Sequence, residues 1–304
     1  MIELDHVSKS YGARDSVSDV SFTVDKGAFC AVVGPSGSGK STTMRMINRL
    51  IEPSAGTIRI NGEDIATLPV EALRRRIGYA IQSVGLFPHW NIADNIATVP
   101  RLLKWPEERV RQRIDELLSL LQLDPATREK FPHQLSGGQQ QRIGVARALA
   151  ADPEVLLMDE PFGALDPITR EALRTELSRI HRSTGKTILF VTHDIDEALQ
   201  LADSIAVLRD GKLVQFGTPL ELLIQPADDF VRDFMGGSTL GLKLLALRHV
   251  SERVKPEPVP GEPIAPETTL AEALSQMVLR RTSRLPVRGS GGTNGSIGLT
   301  DLVA

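Results

Sequence analysis

The chain has 304 residues, roughly two domains' worth, and its 41% hydrophobic and 24% charged residues match a globular protein with a sizeable core. Thirty-five Lys and Arg against 38 Asp and Glu leave a net charge of −3, so no overall basic field argues for a nucleic-acid partner. The single cysteine, Cys30, excludes an intramolecular disulfide framework and any multi-cysteine metal site, and it fits a reducing compartment. No stretch approaches about 18 uninterrupted apolar residues, so no helix is expected to span a bilayer. The opening MIELDHVSKSYG lacks an apolar run behind a basic end and is not expected to be a secretory signal. A soluble protein is expected, with any membrane role supplied through a partner.

Residues 1–235 alternate short β-branched runs with amphipathic helical stretches, as an α/β domain does. The run Ala28 to Val33 (AFCAVV) is continuously apolar, the mark of a strand covered on both faces of a parallel sheet. Directly after it, Gly34-Pro35-Ser36-Gly37-Ser38-Gly39-Lys40-Ser41 spells G-x-x-x-x-G-K-[ST], and a helical pattern (Met44, Ile47, Leu50, Ile51) follows. Glycines let backbone N–H groups curl around phosphate oxygens, and the helix N-terminus adds partial positive charge. Lys40 is placed to reach the β- and γ-phosphates, and the Ser41 hydroxyl to ligate Mg²⁺.

Further along, Gln82 follows the strand-like IGYAI, where it could contact a metal or water. Val110, Ile114, Leu117, Leu118 and Leu121 recur at helical spacing, with Pro106 suited to the first turn. In Leu135-Ser136-Gly137-Gly138-Gln139-Gln140-Gln141-Arg142, Ser136 and Gln139 form a capping box ahead of the helical face Ile143, Ala146, Leu149 and Ala150. This is a second glycine-bearing helix start, open to an anion or simply capped.

Val155 to Met158 (VLLM) is another buried strand, ending in Asp159 and Glu160. Ligands of open α/β sheets bind at the carboxyl ends of strands, so both carboxylates should face the phosphate loop's crevice. Asp159 suits a hard cation and Glu160 a general base that polarises the attacking water. Asp166-Pro167 is an N-cap followed by an N1 proline, ahead of Leu173, Leu177 and Ile180. His193 follows the strand TILFVT, and Asp194 with Glu197 marks one more helix start. Singly, Gln82, Asp166, His193 and Tyr11 read as an ordinary Gln, an N-cap, a loop histidine and an edge aromatic. They gain meaning as a set.

After Met235 the texture changes. Gly236-Gly237-Ser238 is a break, and five prolines crowd residues 256–266. A helix (Leu270, Ala273, Leu274, Met277, Val278), a short strand at Leu285–Val287 and a mobile glycine-rich loop from Gly289 to Gly298 are predicted. The expected domains are therefore 1–235 and 236–304.

These motifs, in this order, resemble the nucleotide-binding subunits of ABC transporters across residues 1–235. The resemblance implies an α/β P-loop ABC ATPase domain, a mixed sheet core plus a helical subdomain. ATP and Mg²⁺ are the implied cofactors. Tyr11 would stack on adenine, and Gly34, Pro35, Ser36, Gly37, Ser38, Gly39, Lys40, Ser41 and Thr42 form the Walker A loop. Ser41, Gln82 and Asp159 would hold the metal. Glu160, His193 and Gln82 would act in hydrolysis, Gln82 as the Q-loop and His193 as the switch histidine. Ser136, Gly137, Gly138 and Gln139 belong to the LSGGQ signature, facing the ATP of the opposite subunit, and Asp166 to the D-loop. Two copies would meet head to tail, each ATP lying between the loop of one and the signature of the other.

The stretch Arg75 to Ile92 (RRIGYAIQSVGLFPHWNI) is similar to the importer branch for quaternary-amine osmoprotectants such as glycine betaine, choline and carnitine. Family members contact a permease helix through this stretch. Phe87 and Trp90 would supply apolar contacts there or pack within the helical subdomain. The implied partners are a second copy, transmembrane permease subunits and an extracytoplasmic substrate-binding protein. Nucleic acid is not among them, and the implied place is the cytoplasmic face of the membrane. Import of another small solute, or a non-transport ABC ATPase acting on nucleic acid or ribosomes, are the alternatives. The latter usually carries tandem nucleotide domains or a coiled-coil insertion, and this chain has neither. The tail 244–304 resembles a small α+β CBS module, with Ile297-Gly298-Leu299-Thr300-Asp301 near its usual end. Only one repeat is present, so a brace between paired subunits is expected rather than ligand sensing.

Overall fold

A computed structural model describes residues 2–12, 14–81, 85–163, 165–289 and 295–302. The chain divides into two compact units, Met1–Thr218 and Pro219–Ala304.

In the first unit, β1 (Ile2–Tyr11) and β2 (Arg14–Val24) pair antiparallel; alternation turns Ile2 and Leu4, and Val20, Phe22 and Val24, inward, and a register shift after Leu4 brings Val7 inward as well. The wholly buried β3 (Phe29–Val33) enters a different sheet and leads to α1 (Lys40–Ile47). β4 (Ala55–Ile60) returns to the free edge of β1, and β5 (Glu63–Asp64) completes a four-stranded sheet ordered β2-β1-β4-β5. α2 (Val70–Arg76) then feeds β6 (Ile77–Ala80).

Three helices follow and pack on one another: α3 (Ile92–Leu102), α4 (Glu107–Leu120) and α5 (Gly137–Leu149). Val110, Ile114, Leu117, Leu118 and Leu121 are all buried, as their spacing predicts. Pro106 stands one residue outside α4, as its N-cap rather than in its first turn.

The remaining elements alternate strand and helix: β7 (Val155–Asp159), α6 (Pro167–Thr184), β8 (Thr187–Val191), α7 (Ile195–Leu201), then the hairpin β9 (Ser204–Arg209) and β10 (Lys212–Gly217). The six-stranded sheet is ordered β10-β9-β3-β8-β7-β6, parallel except for β10. Its central strands β3, β7 and β8 are buried along their whole length, which is why they read as unbroken apolar runs. Phe190 packs edge-on against Phe29, with ring centroids 5.2 Å apart, and against Phe162 at 6.4 Å.

Register positions the site. Val32 pairs with Val191, and Val191 pairs with Asp159, so β3, β8 and β7 end at one level. The phosphate loop, the Asp159–Glu160 pair and His193 therefore leave the sheet side by side.

α1 is shorter than its apolar pattern suggests. The chain turns at Arg49 (φ 44°), which leaves Leu50 exposed and Ile51 partly buried against the core. Cys30 is fully buried in β3, and burial pushes its thiol up to about 12, so it is inert at neutral pH.

The second unit contains α8 (Pro219–Ile224), α9 (Asp229–Met235), α10 (Leu240–Leu247), α11 (Leu270–Arg280), the antiparallel pair β11 (Arg284–Val287) and β12 (Gly295–Gly298), and α12 (Leu299–Leu302). Its core joins Val250, Ile264, Leu270, Ala273, Met277, Leu285, Val287, Ile297 and Leu302. The unit begins at Pro219, ahead of the composition break at 235/236, because α8 packs on α9 and α10. Two tail expectations change. Gly295–Gly298 is a buried strand rather than part of a loop, while Ser290 to Asn294 lie outside the described residues. Val278 is 70% exposed and contributes nothing to the core.

Candidate active site

The loop after β3 turns back at Gly39, whose φ of 97° is left-handed. A Cβ there would lie 2.5 Å from the Ser16 carbonyl oxygen, so only glycine fits. Gly39 is also the N-cap of α1, and with no side chain to cap the helix the first-turn N–H groups face outward to an anion. Lys40 Nζ donates to the carbonyls of Gly34 and Pro35 at 2.8 Å each, so its ammonium sits inside the loop. Burial lowers the Lys40 pKa, while Glu160 and Asp159 pull it back up. The loop opens on a cavity of about 390 Å³, lined by Ser16, Ser36 to Thr42, Glu160 and His193.

Ser41 Oγ donates to Asp159 Oδ1 at 3.1 Å. Asp159 is only 4% exposed; burial raises its pKa and the Ser41 hydroxyl lowers it. One hydroxyl and one nearly buried carboxylate, side by side beneath a phosphate cradle, fit a Mg²⁺ ion that takes its other ligands from phosphates and water. Glu160, the next residue, has φ 46°, sparsely populated for a residue with a Cβ. Its N–H donates to Val191 O at 3.0 Å, which ties the end of β7 to the end of β8. The turn aims its carboxylate at the cavity, with Oε1 3.6 Å from His193 Nδ1.

The other predicted residues lie apart from this cavity. Ser136 and Gln139 form the expected reciprocal capping box, Gln139 N–H donating to Ser136 Oγ at 3.3 Å and Ser136 N–H to Gln139 Oε1 at 3.0 Å. Asp166 caps α6, accepting from the N–H groups of Ile168 and Thr169 at 3.1 Å each, and the bonding to Thr169 lowers its pKa. Tyr11 ends β1, 54% exposed, with the Lys9 ammonium 5.1 Å from its ring centroid. Phe87 and Trp90 are both 38% exposed, their ring centroids 4.5 Å apart, so neither is buried in the helical layer. Phe87 also lines a groove of about 370 Å³ together with Tyr79, Thr98, Val99 and Arg147. Gln82 falls outside the described residues.

One cavity residue escaped the sequence. Ser16 reaches the loop from β2, its Oγ 3.1 Å from Thr42 Oγ1. No motif marks it, and only the approach of the antiparallel sheet brings it in.

A parallel sheet whose glycine loop, carboxylate pair and histidine share one edge defines a P-loop nucleotide hydrolase. The sequence pattern of the ABC transporter family matches residues 17–163. The chain is 59% identical to the glycine betaine uptake system ATP-binding protein YehX of Escherichia coli (strain K12), over 94% of each chain. It is 50% identical to the glycine betaine/carnitine/choline transport ATP-binding protein OpuCA of Bacillus subtilis (strain 168), over 94% of this chain and 75% of that one. Among solved structures, the dimeric post-hydrolysis state of the ATP-binding cassette MJ0796 bound to ADP and Pi superposes with a TM-score of 0.66 at 34% identity, covering 72% of this chain and 99% of that one. The chain belongs to the ABC transporter family. It is an ATP-binding subunit, an ATPase that works with ATP and Mg²⁺.

Proposed function

We propose that this subunit energises uptake of a quaternary-amine osmoprotectant (glycine betaine, carnitine or choline) through a transmembrane permease, with an extracytoplasmic protein delivering the solute. The observation that carries this reading is the identity of 59% and 50% with subunits named for those solutes, over 94% of this chain. Among the described residues no helix is long and apolar enough to cross a membrane, and the subunit's attachment at the cytoplasmic face is assigned to the permease. The groove lined by Phe87, Tyr79 and Val99 is the docking place assigned to it.

The site supports the following assignment of roles, with that of Gln82 resting on its place in the sequence alone. Gly34 to Thr42 cradle the phosphates, Lys40 neutralises their charge, and exposed Tyr11 receives the adenine. Ser41 and Asp159, with Gln82, hold Mg²⁺, which when bound offsets the phosphate charge. Glu160 takes a proton from the attacking water, and His193, 3.6 Å from it, orients the water against the terminal phosphate. Ser136 to Gln139 are absent from the residues lining the chain's own cavity, which supports their facing the ATP of a second copy, with Asp166 at the same junction. Asp301, in the tail we read as CBS-like, is engaged internally by Lys255 and Gly298, and we assign that module a bracing role between paired subunits rather than ligand sensing.

The test is transport. Vesicles carrying the chain with its permease and binding protein should accumulate labelled glycine betaine, choline or carnitine only when ATP is inside. Accumulation of a different solute, with none of these three, would overturn the substrate assignment while leaving the ATPase reading intact.

A further inference from the structure

Arg170 lies in the first turn of α6, four residues after Asp166, and no motif singles it out. One branch of its guanidinium donates to the Leu165 carbonyl at 3.2 Å, holding the backbone of the turn that carries Asp166. The other branch lies 3.6 Å from Asp194, the residue immediately after His193. Its Nε faces Glu197 at 4.0 Å. Glu197 is almost fully buried and is bonded by the Thr192 hydroxyl, which in turn accepts from the Asp194 N–H at 3.0 Å. His193 is thus flanked on both sides by residues of one network, and Arg170 joins that network to the Asp166 turn. The same turn of α6 presents Thr169 to Gly138, where an added Cβ would lie 2.3 Å from Thr169 Cγ2.

We propose that Arg170 is a positioning residue that couples the Asp166 turn to His193, so that displacement of one turn resets the histidine over the terminal phosphate. The proposal rests on the role given to His193 above. The physics favours arginine: a planar fork can grip a carbonyl and a carboxylate at once in fixed geometry, whereas an ammonium on a flexible stem acts as a point charge. Rigid placement matters because small misplacements of a reacting group lower the rate steeply.

ATP turnover of the full chain is compared for Arg170→Gln, Arg170→Lys, His193→Ala and the double variant, with melting temperatures alongside. Arg170→Gln is expected to lower kcat about ten- to a hundred-fold with KM for ATP little changed, the pattern of lost transition-state positioning. Arg170→Lys should recover part of the loss, because charge toward Asp194 and Glu197 is kept. In the His193→Ala background, Arg170→Gln should produce no further fall, since its effect runs through the histidine. Full additivity in the double variant, or a parental kcat in Arg170→Gln whatever its melting temperature, overturns the proposal alone. A parental kcat in His193→Ala overturns the underlying role of His193 and the proposal with it.

Discussion

Ser41 and Asp159 are 118 positions apart in the chain, and their side chains meet in a 3.1 Å hydrogen bond. The contact exists because β3 and β7 flank β8 and all three end at one level, so the start of α1 falls beside the end of β7. Removing the Asp159 charge while keeping its shape should isolate its electrostatic share. Asp159→Asn is expected to raise the Mg²⁺ concentration needed for half-maximal turnover at least tenfold, since an interaction with a charged group contributes about 1.5–3 kcal/mol and 1.4 kcal/mol is tenfold. Turnover measured across a Mg²⁺ titration checks this; an unshifted curve would remove Asp159 from the metal site.

Glu160 tests the chemistry separately from binding. Its carboxylate lines the cavity shared with the Lys40 loop, and an amide keeps its shape there, so Glu160→Gln should leave ATP affinity near parental. Loss of a general base slows the chemical step about 10²- to 10⁴-fold. With ATP bound and uncleaved, the variant should migrate as a dimer on size exclusion in ATP and as a smaller species in ADP. Parental hydrolysis would refute the assignment.

Legibility in the sequence followed how local each feature's cause is. β3, β7 and β8 were readable because both faces of each are covered, which confines polar side chains to strand ends such as Asp159 and Thr187. The Ser136–Gln139 box and the Asp166 cap were readable because their hydrogen bonds span three residues or fewer. Ser16 and Arg170 were not, since each acts across a tertiary approach that no spacing encodes. β12 was missed for a related reason. Gly295 sits where a Cβ would lie 2.3 Å from Val254 Cγ1 and 2.7 Å from Lys255 O, so its glycine serves close strand packing rather than a turn. The unit boundary at Pro219 likewise reflects packing of α8 on α10, which composition does not record.

Gly39 offers a test of the cradle's backbone. Alanine there meets both a left-handed φ and a carbonyl oxygen 2.5 Å from the new Cβ. The strain of such a backbone is about 1–3 kcal/mol for a residue with a side chain, and relieving it would move Ser16 or the start of α1. Gly39→Ala should therefore lower the melting temperature and weaken ATP binding together. Gly37→Ala has the same left-handed strain but no atom within 4 Å of the added Cβ, and should retain more affinity. Equal affinity losses in the two variants would show that close approach to Ser16 is not what selects glycine at position 39.

Asp301 gives the second unit a pH dependence whose sign can be worked out. Its carboxylate pairs with Lys255 Nζ at 2.5 Å and accepts the Gly298 N–H at 2.8 Å; the Lys255 bond, then the Gly298 bond, lower its pKa below the usual aspartate range. A group with a depressed folded pKa stabilises the fold fully above its unfolded value of about 3.8, and the contribution disappears as pH falls through the lower folded value. Asp301→Asn should accordingly reduce the melting temperature of the second unit at pH 7. As the buffer is taken below about pH 4, parent and variant should converge, because the parental carboxylate then gains the proton that cancels its pairing. A melting-temperature difference that stays constant from pH 7 to acid would mean the asparagine acts through lost packing against Gly298, and the ion pair with Lys255 would carry no weight in holding α12 to β12.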